Sequence, residues 1–163
     1  MTKVFIGGSR HVSRLNAQVR KRIDNIIEKE FPILIGDANG ADKAVQQYLH
    51  SNHYKNVEVF CSDGICRNNI GDWEIRSISV GTRKRNVQFY SAKDRIMAQE
   101  ATFGLMLWDG KSIGTLLNVA LVPFHVTQSS APFIMPLFES RRAHGARSHG
   151  PESLKPLPGL DVS

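Results

Sequence analysis

Short apolar runs alternate with longer amphipathic stretches through the first 122 residues of the chain, and three of the runs lead into a glycine turn. The runs are Lys3 to Ile6, Ile33-Leu34-Ile35, Val57-Glu58-Val59-Phe60 and Phe103-Gly104-Leu105-Met106-Leu107-Trp108. They are too short for helices and rich in branched and aromatic side chains, which reads as buried strands. Between them, apolar residues return at helical spacing. From about Val12 to Glu30, Leu15, Val19, Ile23, Ile26 and Ile27 share one face, opposite Arg20, Lys21, Arg22, Asp24 and Glu28. Pro32 ends that stretch.

A second helix follows Asp42 with Ala44, Val45, Tyr48 and Leu49 inward. A third runs from about Ser91 to Ala101 with Ile96 and Met97 inward, and a fourth from about Ile113 to Val122. Strands alternating with helices argue a parallel sheet with the helices laid on its faces. The expected fold class is therefore α/β, a Rossmann-like three-layer parallel sheet with helices on both faces, occupying residues 1–122. Residues 61–72 read as a polar loop, and Ile75 to Val80 as a short strand or its continuation. Trp73 falls in the loop and is the candidate lid, whereas Trp108 closes a strand and reads as core.

The segment 123–163 differs in kind, because six of the seven prolines lie between Pro123 and Pro158. It reads as a separate proline-rich segment, mobile or draped beyond about Glu139. A fifth strand near Phe133 to Phe138 is interrupted by proline.

With 163 residues the chain suits one domain. Its formal charge of +6, from 21 Lys+Arg against 15 Asp+Glu, favours anionic partners without choosing among nucleotides, nucleic acid and acidic membranes. Cys61 and Cys66 are too few for a disulfide framework. The N-terminal apolar run is too short for a signal peptide, and no run approaches the roughly 18 residues of a membrane span. The expected compartment is the cytoplasm, with no membrane partner. His50, His53, Cys61 and Cys66 raise zinc, but their order and the C-x4-C gap fit no common module, so no metal and no cofactor is expected. No Ser-His-Asp order or nucleophile elbow occurs.

The glycine turns carry the chemistry. They are Gly7-Gly8-Ser9-Arg10, Gly36-Asp37-Ala38-Asn39-Gly40-Ala41-Asp42 and Asp109-Gly110-Lys111-Ser112-Ile113-Gly114-Thr115. In an open parallel sheet the strand C-termini share one edge, so the three turns converge where ligands bind. Glycine lets backbone N–H groups approach an oxyanion, and the following helix adds free N–H groups. Ser112, Thr115 and Lys111 make the last turn a candidate phosphate cradle. Asp37 or Asp42 suits a ribose hydroxyl, although Asp37 equally suits a helix cap. Arg10, and Lys93 or Arg95 from the Lys93-Asp94-Arg95 helix start, suit a phosphate. Sharp turns need glycine in any case. Neither a Walker loop nor a Gly-x-Gly-x-x-Gly fingerprint is present.

Val4-Phe5-Ile6-Gly7-Gly8-Ser9-Arg10, the Gly36–Asp42 turn, Lys93-Asp94-Arg95-Ile96-Met97 and Trp108-Asp109-Gly110-Lys111-Ser112-Ile113-Gly114-Thr115 occur in that order. Over residues 1 to about 122 the chain resembles the SLOG superfamily of Rossmann-like domains. That group includes the LONELY GUY phosphoribohydrolases, formerly called lysine decarboxylases, and the DNA-processing protein A domain. The closest likeness is to its small uncharacterised bacterial members. The resemblance implies a nucleotide or nucleotide derivative bound by the first and last turns. The phosphoribohydrolases carry Pro-Gly-Gly-x-Gly-Thr-x-x-Glu, and aligning Gly114-Thr115 on its Gly-Thr puts Asn118 at the catalytic glutamate. An amide cannot act as the carboxylate does. Asp37, Asp42, Asp94 and Asp109 stay open as substitutes, and the catalytic residue is unassigned. The segment after residue 122 departs from the simple strand the resemblance implies, as a divergent or out-of-frame C-terminus would.

Three readings follow. One is a nucleotide-binding module. Another is a hydrolase of nucleotide N-glycosidic bonds. The third is a nucleic-acid binder using Arg14, Arg20, Arg22, Arg83, Lys84 and Arg85, whose affinity would fall steeply with salt. The resemblance also implies a homo-oligomer.

Overall fold

The computed structural model describes residues 1–81, 87–121 and 124–128. The basic triplet at Arg83 to Arg85, the apolar run at Phe133 to Phe138 and the segment beyond Glu139 lie outside them. In chain order the elements are β1 (Val4–Gly8), α1 (Ala17–Glu28), β2 (Ile33–Gly36), α2 (Ala41–Ser51), β3 (Val57–Ser62), β4 (Glu74–Ile78), α3 (Val87–Glu100), β5 (Phe103–Trp108), α4 (Ile113–Leu121) and β6 (Phe124–Gln128).

The strands form one sheet in the order β4-β3-β2-β1-β5-β6, and every pair is parallel. The chain steps outward from β1 to β4 and then returns to place β5 on the other side of β1. The order reverses between β1 and β5, so the loops after these two strands diverge and open a crevice. The fold is α/β and Rossmann-like.

Side-chain alternation along the strands builds the two cores. Val4, Ile6, Ile33, Ile35 and Val59 meet Val19 and Ile23 of α1 and Val45 and Leu49 of α2 on one face. Phe5, Leu34, Phe60 and Met106 meet Met97 and Ala98 of α3 on the other. Helix α4 packs on α3 and β5. Each fully buried Ile or Leu contributes roughly 1.5–3 kcal/mol relative to exposure. No helix among the described residues is long and apolar enough to cross a membrane.

Several expectations are corrected. Helix α1 starts at Ala17, not near Val12, because the Asn16 side chain accepts the Val19 N–H at 2.9 Å and caps it there. Val12 and Leu15 are buried, but in the preceding loop. Trp73 is no lid. It is 7% exposed within the α1/α2 core, and its indole N–H donates to the Tyr54 carbonyl at 2.9 Å. It anchors the β3–β4 crossover, residues 63–73, where a helix would otherwise lie. Trp108 is half-buried rather than core, with its N–H on the Ser112 carbonyl at 3.0 Å. The sheet also continues past residue 122, since β6 pairs with β5 from Phe124 to Gln128.

Candidate functional site

The turns after β1 and β5 flank the crevice where the strand order reverses. A cavity of about 540 Å³ opens there, lined by Ser9, Arg10, His11, Asp109, Lys111 and Ser112. The buried Ser9 hydroxyl donates to Asp109 Oδ2 at 2.9 Å and accepts the His11 N–H at 3.1 Å, tying one turn to the other. The Ser9 N–H continues the ladder to the Leu107 carbonyl at 2.9 Å.

Asp109 organises the start of α4. Its Oδ1 accepts the N–H groups of Ser112 at 2.8 Å and Lys111 at 3.0 Å. These amide bonds hold its carboxyl down at about 2. Two amides of the expected phosphate cradle are therefore already taken. The amides of Ile113 and Gly114, in the first turn of α4, have no partner among the described residues. They lie at the positive end of the helix dipole. The Ser112 and Thr115 hydroxyls lie 3.0 Å apart beside them. Gly114 faces open space, where an added Cβ would meet nothing within 4 Å. Arg10, His11 and Lys111 are exposed at the rim.

The turn after β2 packs against the turn after β1 without lining the cavity. The Ala41 N–H donates to the Ser9 carbonyl at 3.1 Å. Gly40 has φ +84°, and any side chain there would strike the Arg10 backbone. Asp37 does not cap α2, because Gly40 holds the cap position. Asp37 instead takes Arg67, whose Nε donates to Oδ2 at 2.9 Å and whose Nη2 donates to Oδ1 at 2.7 Å. Burial opposes this carboxylate, but Arg67 outweighs burial and its pKa is lowered.

Behind that turn is a buried ionic cluster. Lys93 Nζ lies 3.0 Å from Asp94 Oδ1, 3.9 Å from Asp37 and 4.0 Å from Asp42. Burial disfavours the Lys93 ammonium, yet Asp94 and Asp42 together outweigh it and its pKa is raised. Asp42 is pushed up to about 6, chiefly by burial, with Lys93 pulling the other way. A Cβ on Gly36 would occupy the space of Lys93 Nζ and Asp42 Oδ2, so this glycine serves the cluster. Asn118 donates to Asp94 Oδ2 at 2.8 Å.

The sequence-derived site thus divides into two layers. Ser9, Arg10, Asp109, Lys111 and Ser112 line the crevice, with Gly110, Gly114 and Thr115 in the same turn and helix start. Asp37, Asp42, Lys93 and Asp94 form the cluster behind it. Asn39 is exposed and accepts the Asn68 side-chain N–H at 3.1 Å. His11 and Arg67 carry no periodic or motif signal and were not anticipated. His11 follows directly on Arg10, and Arg67 sits in the aperiodic loop.

The cysteines are paired with each other. The one grouping of three potential metal ligands among the described residues is Asp37, Cys61 and Cys66, and both oxygens of Asp37 are engaged by Arg67. His50 and His53 are not part of it. Of the basic side chains suggested for nucleic acid, Arg20 lies over the Tyr48 ring at 5.9 Å.

Comparison with known proteins finds no matching family model, no matching curated protein and no matching solved structure.

Proposed function

We propose that the chain binds a nucleotide or nucleotide-derived phosphate compound in the crevice between the β1 and β5 loops, as its resemblance to SLOG domains implies. The observation that carries this reading is the Ser9–Asp109–Ser112 linkage across the reversal of strand order. It puts a fixed carboxylate, which accepts hydroxyl hydrogens, beside the free amides that start α4, which accept an anion. A ligand satisfying both must carry a hydroxyl and an anionic group a short distance apart. A ribose phosphate has that pattern. The exposed cations Arg10 and Lys111 complement the anion.

The experiment is thermal unfolding of the full chain against nucleoside mono-, di- and triphosphates and nucleotide sugars, beside the Gly114→Val variant. A ligand at about 100 times its Kd adds about 2.7 kcal/mol. One ligand class is expected to raise Tm in the parent chain and not in Gly114→Val. If no compound raises it, the glycine turns are architecture alone.

A second reading is cleavage of an N-glycosidic bond, with Asp94, the least buried carboxylate of the cluster behind the crevice, as its candidate. Its carboxylate lies against Asn118, the residue standing where the resembling hydrolases carry glutamate. Release of ribose 5-phosphate from a stabilising nucleoside monophosphate, lost in Asp94→Asn, separates hydrolysis from binding alone.

A further inference from the structure

We propose that Cys61 and Cys66 form a reversible thiol–disulfide pair that controls how firmly Arg67 is held on Asp37. The inference is independent of any ligand in the crevice.

Cys61 lies near the end of β3 and is fully buried. The chain turns back at Asp63 and Gly64, both with positive φ, and Ser62 bridges to Ile65. This turn brings Cys66 to a Cα–Cα distance of 5.1 Å from Cys61, within the span a disulfide needs, and the sulfurs are bonded. The next residue is Arg67. Its backbone N–H donates to Asp37 Oδ2 at 3.1 Å, and its guanidinium donates to both oxygens of the same carboxylate. The bonded sulfurs thus fix the peptide that aims the Arg67 amide. Asp37 and the two sulfurs lie within 4.8 Å of one another. Lys93 Nζ lies 3.9 Å from the same Asp37 Oδ1 that Arg67 Nη2 contacts, so Asp37 connects the crossover loop to the buried ionic cluster.

The chemistry balances with a low-molecular-weight disulfide as oxidant. Cys66 is the partly exposed sulfur, so its thiolate attacks the external disulfide and releases one thiol. Cys61 then displaces the second thiol from the mixed disulfide. Two protein thiols and one external disulfide give one protein disulfide and two external thiols. Reduction reverses the sequence, again entering at Cys66. Opening the ring returns conformational freedom to residues 63–66, and that freedom opposes the hold of Arg67 on Asp37.

The test equilibrates the full chain in glutathione buffers from reducing to oxidising, traps free thiols with N-ethylmaleimide and weighs the intact protein. Tm is then measured for both end states of the parent chain, Cys66→Ser and Arg67→Gln. A single transition from two adducts to none is expected. The oxidised parent should unfold several degrees above the reduced one, and Cys66→Ser should show no such difference. In Arg67→Gln the redox difference should fall by about half or more, because coupled contacts are not additive. Two adducts in every buffer would overturn the proposal. So would a redox difference in Arg67→Gln equal to the parent's, which marks a staple uncoupled from Asp37.

Discussion

Asp42 and Asp109 have the same side chain and opposite electrostatic situations. Asp109 meets backbone amides and stays ionised, held at about 2. Asp42 is enclosed, and burial raises it to about 6 against an ordinary 3.8. The folded state therefore binds the Asp42 proton more tightly than the unfolded state does. The resulting stability is complete below about pH 3.8 and is lost as pH rises through about 6. The difference corresponds to about 3 kcal/mol. Asp42→Asn cannot ionise, and its oxygen can still accept the Ala38 N–H that Asp42 accepts at 3.1 Å. Relative to the parent, this variant is expected to gain up to about 3 kcal/mol in urea unfolding between about pH 4 and pH 7.5. A difference between the two proteins that stays constant over that range would contradict the burial of an ionisable Asp42. None of this was visible in the sequence. Asp37 and Asp42 stood there as equivalent candidates for a ribose hydroxyl, and only the approach of Lys93 and Arg67 distinguishes them.

At the level of elements, hydrophobic period and glycine position located most of the fold. Val4, Phe5 and Ile6 read as a strand because all three are apolar, and they are buried on alternating faces. Periodicity could not locate the start of α1, because Val12 and Leu15 are buried whether or not they are helical. The cap at Asn16 is what decides it. Strand β4 was ambiguous because Ile75 is exposed and Glu74 and Arg76 are polar, so no alternation marks it. The roles of Trp73 and Arg67 are not legible in the sequence for one reason: loop residues take their roles from distant partners, here Tyr54 and Asp37.

Helix α4 tests whether an element serves the fold or a ligand. Gly114 is exposed, helical and free of neighbours. Gly114→Ala is therefore expected to raise stability in urea by a few tenths to about 1 kcal/mol. It should also weaken the nucleotide that gives the largest Tm shift by at least about tenfold, or 1.4 kcal/mol. A gain in stability with unchanged affinity would remove the start of α4 from the site.

At the scale of the whole molecule, topology outweighs any single residue. The turns after β1, β2 and β5 meet only because every strand points the same way and the order reverses beside β1. That convergence was legible from the strand–helix alternation. The division into an open crevice and a closed ionic cluster was not, because it depends on which side chains cross the sheet edge. The most direct test of the account is amide chemical-shift mapping on the isotope-labelled full chain, titrated with the nucleotide that stabilises it most. The account predicts the largest shifts at Gly8 to His11 and Gly110 to Thr115. Shifts centred on Lys3, Asn56 and Thr102 at the opposite sheet edge, or on Arg20 and Arg22 of α1, would contradict it.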